Sequence, residues 1–213
     1  MPHPSHPLLE PRKFPVQARS TASVEAILHA TIQVLLRVGK ERLTTTRVAF
    51  RAGVSVGTLY QYFPNKKALL QAALKRHLDA VADDVERACR GQHGNSLEQM
   101  GAALVTAYLE AKMRDVRTSV ALYSVSSDVD GARIVQQMGI RVNKAMLEMF
   151  ASSCEPLTKD PQLVASMLQA AMAGVGRRML ESAAPEKEFE TLHRELIFFV
   201  RAYLQACSAR PSA

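Results

Sequence analysis

The chain has 213 residues, 47% of them hydrophobic, with three cysteines and a formal net charge of +7. That apolar content is ample for a core, and no apolar run approaches the ~20 residues that span a bilayer. Cys89, Cys154 and Cys207 lie far apart, odd in number and without metal-ligand spacing, which argues against a disulfide framework or metal site and suits a reducing cytoplasm. No P-loop, dinucleotide or metalloprotease signature appears, and no cofactor or metal is expected.

Residues 1–18 hold five prolines and no apolar h-region, so they are expected to form a flexible arm, not a signal peptide. Val24, Ile27, Leu28, Thr31, Leu35 and Val38 trace one face of a first helix that stops at Gly39. Thr45 or Thr46 is expected to cap a second, short helix, with Val48, Ala49 and Ala52 inward. Gly53 supplies the sharp turn, since a residue without Cβ takes positive φ cheaply. Ser55 caps a third helix, read as Val56–Tyr62, with Leu59 and Tyr62 or Phe63 inward. Asn65 opens a long helix through Leu70, Leu74, Leu78, Val81 and Val85, which Gly91 and Gly94 end.

Ser96 and Gln99 have capping-box spacing ahead of Met100, Leu104 and Tyr108. A shorter helix is expected over 115–124, and another through Val135, Met138, Val142, Ala145 and Met149, stopping near Pro156. Asp160-Pro161 starts a helix over 161–181, because proline's missing N–H is harmless in the first turn. The final helix, 187–206, carries two adjacent apolar stripes: Phe189, Leu192, Leu196, Phe199 and Tyr203 beside Ile197, Val200 and Leu204. So broad a face exceeds what one contact covers, so residues 161–181 and 187–206 are expected to pack against a second copy as a four-helix homodimer interface. The fold class expected from this pattern is all-α.

Two short helices joined by a glycine turn make a helix-turn-helix, whose second member lies in the DNA major groove. Charge agrees independently. Through Lys67 there are ten Lys and Arg against three acids, so the whole excess of the chain lies with the turn. A cationic surface of this kind attracts the phosphate backbone. The stretch Ala-Gly-Val-Ser-Val-Gly-Thr-Leu-Tyr-Gln-Tyr-Phe-Pro-Asn-Lys, 52–66, resembles the DNA-binding motif of the tetracycline-repressor (TetR/AcrR) family of bacterial transcription regulators; the likeness extends over 19–78.

The resemblance implies an N-terminal three-helix domain and a larger helical domain, laid out as an arm over 1–18, a DNA-binding domain over 19–67, a dimerisation and effector-binding domain over 68–207, and a tail over 208–213. It further implies that Val56, Gly57 and Thr58 face base edges, while Thr45, Tyr60, Tyr62 and Lys66 hold phosphates; Thr46 occupies a position from which some relatives reach a base. Arg47 and Arg51 either strengthen backbone contact or form a solvated face. Arg12, Lys13 and Arg19 either enter the minor groove or idle. The expected activity is that of a cytoplasmic, dimeric repressor released from double-stranded operator DNA by a small-molecule effector, with a helix-turn-helix activator or an architectural protein as the alternative.

Eight of nine methionines lie at position 100 or later. Flexible thioethers suit an adaptable apolar pocket, although core packing is the default for each. Tyr108, Met113, Tyr123, Met138, Met146 and Met172 are the pocket candidates, with His193 a further polar group. One motif competes: Gly53-Val54-Ser55-Val56-Gly57 satisfies the nucleophile-elbow pattern of serine hydrolases. That chemistry needs a strand before the serine, and Thr45–Ala52 reads as helix, so no enzyme is expected.

Overall fold

The computed structural model describes residues 18–208, with side chains from Ser20 onward. The arm bearing Arg12 and Lys13, the side chain of Arg19 and residues 209–213 lie outside that description. Among the described residues there are nine α-helices and no strands: α1 (Ala18–Arg42), α2 (Thr45–Ala52), α3 (Val56–Tyr62), α4 (Lys66–Gly91), α5 (Leu97–Met113), α6 (Val116–Val125), α7 (Gly131–Ala151), α8 (Pro161–Glu181) and α9 (Pro185–Cys207). A 3-10 turn, Ser126–Val129, which the sequence did not suggest, follows α6.

Capping chemistry sets most of these boundaries. Ser55 accepts from the Thr58 N–H, Asn65 from that of Ala68, and Ser96 with Gln99 forms the full capping box. The cap expected at the start of α2 is corrected. Thr44, not Thr45 or Thr46, has the extended backbone of a cap and accepts from the Arg47 N–H. Leu43, 1% exposed, anchors the chain one residue before Thr44, which leaves Thr45 and Thr46 inside the first turn. Gly39 breaks α1 at φ 74°, where the apolar stripe predicts a stop. By length and composition, Ser20–Arg42 would also pass as a membrane span, against the sequence expectation. It instead packs along α2 and buries Ile27, Leu28, Val34 and Leu35.

The chain divides into two compact units. The first comprises the residues up to Arg76 together with 121–132, so it includes three turns of α4 that the sequence-based boundary at 67 left out. Its centre is Ile27, Leu43, Val48, Leu59, Phe63 and Leu69, each at most 1% exposed. Lys40 pairs with Asp128 at 2.9 Å and Arg76 with Glu25 at 2.6 Å. Both pairs are solvated and so add little stability.

The second unit, 77–120 and 133 onward, is a helical bundle in which α5 packs on α9 and both meet α8. Met100, Met146, Met149 and Met179 are fully buried, which realises the core role expected of most methionines. The Leu196, Val200, Leu204 and Cys207 side of α9 faces inward. Leu163, Met167, Phe198 and Phe199 stand about half or more exposed on α8 and α9. Leu157 pairs with Ser208 across an isolated antiparallel bridge, which places Ser208 in this unit and not in a free tail.

Candidate functional site

The turn between α2 and α3 follows from one residue. Gly53 sits at φ 69°, ψ 27°, in the left-handed region, and its N–H closes α2 on the carbonyls of Ala49 and Phe50. Leu59 is fully buried and Phe63 nearly so. With that side of α3 anchored, Val56, Gly57 and Tyr60 face outward, while Thr58 and Tyr62 are half-buried. Tyr62 is therefore not the inward residue; Phe63 is. Ser55 follows a helix instead of a strand, and its hydroxyl is engaged with Thr58, which removes the geometry a nucleophile elbow requires.

Thr45 and Tyr60 share a hydrogen bond between their hydroxyls at 3.0 Å. Two hydroxyls bring two protons and this bond uses one. The pair therefore keeps an O–H for an anion at the junction of α2 and α3. Lys66 gives one of its three protons to the Lys40 carbonyl, tying the start of α4 to the end of α1. Two remain for a phosphate. Thr58 is less free: its hydroxyl lies 2.8 Å from the capping Ser55 hydroxyl, so contact with a base must share or replace that bond. Thr46 is exposed in the first turn of α2. Arg47 donates to the Arg42 carbonyl and Arg51 to Gln33, so both guanidinia are braced against α1. Sequence reasoning gave Phe50 no role, yet it stands 89% exposed beside these arginines, at the edge of a surface groove. A lone aromatic on a two-turn helix carries no periodic signal.

The second unit contains a cavity of about 270 Å³ between α4, α5, α7 and α8. Of the six candidates, Tyr108, Met138 and Met172 line it. Met146 is buried elsewhere in the core and Met113 packs half-buried against it. Tyr123 belongs to the other compact unit. The remaining walls are Val81, Val85, Val135 and Val142 with Gly139, Ser166, Gln169 and two α8 alanines. The stripes of α4 and α7 contained those valines, but periodicity marks a buried face without telling a packed face from a hollow one. Gly176 admits Tyr108 to its place, since a Cβ there would stand 2.9 Å from the phenolic oxygen. His193 is half-buried, bonded to Thr106 at 2.9 Å and stacked on Phe189.

A buried polar cluster lies one turn beyond Tyr108. Lys112 is only 9% exposed, and its Nζ sits 5.8 Å from the centre of the Tyr108 ring. Desolvation holds its pKa down at about 8. Ser119 donates its one proton to the Lys112 carbonyl at 2.7 Å, so His77 Nε2, 3.1 Å away, must be the donor in their shared bond. Desolvation, with the Lys112 charge beside it, lowers the His77 pKa to about 4. His77 is therefore neutral near pH 7.

Residues 27–73 match the model of bacterial regulatory proteins of the tetR family, and residues 96–204 match that of the tetracyclin repressor-like C-terminal domain. The chain is 33% identical over 150 residues to the HTH-type transcriptional repressor KstR of Rhodococcus jostii, covering 67% of this chain and 65% of that one, just under two thirds of the relative. It is 33% identical over 147 residues to KstR of Mycolicibacterium smegmatis, covering 67% and 69%. A crystal structure titled as a putative TetR-family regulator from Mesorhizobium loti superposes with a TM-score of 0.75 at 18% identity, over 91% of this chain and all of that one. That last likeness concerns fold alone.

Proposed function

The chain belongs to the tetracycline-repressor family of bacterial regulators, and from that premise we propose that it is a dimeric repressor whose grip on operator DNA is released by a small molecule. The observation that carries the DNA half is the exposed start of α3. Val56 and Gly57 stand outward, and the Thr45–Tyr60 hydroxyl pair and the Lys66 ammonium of the same unit each keep a donor for phosphate. Phosphate donors of this kind set position, while the side chains between them read bases. Val56 suits a thymine methyl, Gly57 admits close backbone approach, and the Thr58 hydroxyl offers a base contact.

The two-copy half rests on the outer face of α8 and α9. Leu163, Met167, Phe198 and Phe199 together are a large exposed apolar group for a soluble chain. Pairing this face with its own copy about a two-fold axis buries it and duplicates α3. The effector half rests on the 270 Å³ cavity, and α4 runs unbroken from the first compact unit into the second. An effector shifts the protein only if it binds one arrangement better than the other.

Unbiased selection of duplex sequences by the purified protein tests the DNA reading. The expected product is a palindrome with half-sites separated by about 10–10.5 base pairs or a multiple. A single asymmetric site, with a monomer in sedimentation at micromolar concentration, contradicts it. A reporter carrying the selected site distinguishes repression, the outcome expected here, from activation.

A further inference from the structure

Lys112 is an expensive residue in its position. It lies on α5 one turn after Tyr108, 9% exposed, the one charged side chain among the buried described residues. Among the described residues no carboxylate lies within salt-bridge distance of its ammonium, and its described partner is the face of the Tyr108 ring. Among the described residues no fully buried side-chain nitrogen lacks a partner, so the ammonium keeps an edge on solvent, and the cation–π contact offsets part of the cost of its partial desolvation. The neighbouring polar groups form no ion pair with it: His77 is neutral, Ser119 is committed to a carbonyl, and the Asp115 carboxylate, though ionised, is turned to Thr118. Meanwhile Tyr108, on whose ring the ammonium rests, forms a wall of the apolar cavity.

We propose that the effector is an organic carboxylic acid, its apolar body in the cavity and its carboxylate paired with Lys112, which stands behind the Tyr108 ring and not in the lining itself. This rests on the reading of the cavity as the effector site. The walls fit such a ligand: four valines, two methionines and small residues surround the body. The volume lies just below the roughly 300–1,000 Å³ of drug-sized sites, which favours a small acid. Gln169 donates one of its two amide protons to the Gly139 carbonyl, so its second N–H and the Tyr108 hydroxyl are the neutral donors left at the wall, weaker partners for a carboxylate than an ammonium. An anion beside Lys112 stabilises its charged form and offsets the cost of its burial. A charge that costs stability without ligand and gains a partner with ligand is a source of differential affinity between the two states.

The test is isothermal titration calorimetry of the full chain with two isosteric probes, decanoate and decanamide, on the wild type, Lys112→Met and Gly139→Leu. Gly139 lies on the cavity wall in α7, and the nearest atom to an added Cβ is the Gln169 oxygen at 4.0 Å, so leucine fills the hollow without a clash at its root. The wild type is expected to bind decanoate at least about tenfold more tightly than decanamide, as a charge-assisted contact requires. Lys112→Met should erase that preference, retain decanamide binding and raise the melting temperature of the ligand-free protein. Gly139→Leu should block both probes. Equal binding of the two probes by the wild type, blocked by Gly139→Leu, overturns the acid while sparing the cavity. A decanoate preference that Lys112→Met abolishes and Gly139→Leu leaves intact overturns the cavity as its seat. A preference that survives Lys112→Met, or binding of neither probe, overturns the proposal.

Discussion

The two compact units handle polar groups in opposite ways. In the first, the side chains assigned to function are at the surface: the Thr45 and Tyr60 hydroxyls meet each other, Ser55 meets Thr58, and Lys66 meets a helix-end carbonyl. Water can replace any of these partners at small cost. In the second, Tyr108, Lys112 and His77 are drawn into an interior of methionine, leucine and valine, and their chemistry is altered by it. Burial pushes the Tyr108 phenol up to about 12, Lys112 down to about 8 and His77 down to about 4. The lesson is that a surface site is specified by local chain geometry, whereas an interior site is specified by what the bundle fails to fill.

The sharpest way to break the comparison is to remove the anchor of the surface site. Leu59 is fully buried under α3, so Leu59→Ala should cost roughly 2–5 kcal/mol in urea denaturation and abolish operator binding, since α3 loses its seat. A loss below about 1 kcal/mol would mean that α3 is not held from beneath. Next is the interior. The folded pKa of His77 lies below its unfolded value, so below pH 6.5 the unfolded chain binds the extra proton. Its contribution is fully present above pH 6.5 and is lost as pH falls toward 4. Partial burial limits the effect to about 1–3 kcal/mol, and His77→Gln should flatten the stability–pH profile in that window.

Smaller effects separate roles within the surface site. Ser55→Ala should cost about 1 kcal/mol of stability, because the first N–H groups of α3 lose their acceptor. Tyr60→Phe should weaken selected and random duplexes alike, by about 1 kcal/mol, as loss of a phosphate donor does. Thr58→Ala should instead change the ranking among sequences, by ~1–3 kcal/mol at one base pair. Fluorescence anisotropy on a small panel of duplexes reads both, and equal losses for Thr58→Ala on every duplex remove it from base recognition.

The sequence made the first unit legible because its signals are local. Gly53 demands a turn, Ser55 and Asn65 cap the helices after them, and each acts within four residues of itself. The cap at Thr44 escaped sequence reasoning for a local reason as well: three consecutive threonines offer equal chemistry, and burial of Leu43 chooses among them. The α8 limits follow from Asp160-Pro161, and α9 begins two residues before the expected 187 because Pro185 takes its first position. The interior was half legible. Tyr108, Met138 and Met172 line the cavity, but Met146 and Tyr123 share their residue types and do not. Lys112 could not be singled out, because a lysine on an amphipathic helix reads as solvated until the packing of α4 and α6 shows that it is covered. Phe198 likewise lay on the side of α9 away from both apolar stripes, although it is the most exposed of the four apolar residues named for the proposed interface.

The central claim is that the outward side of α3 enters the major groove, once in each half of a symmetric site. Dimethyl sulfate footprinting on the selected operator reads this directly, since the reagent attacks guanine N7 in the major groove and adenine N3 in the minor groove. The account predicts protection of guanine N7 at matched positions in both half-sites, with Thr58→Ala weakening it at one base pair of each. Protection confined to adenine N3, or to one half of the site, would contradict it.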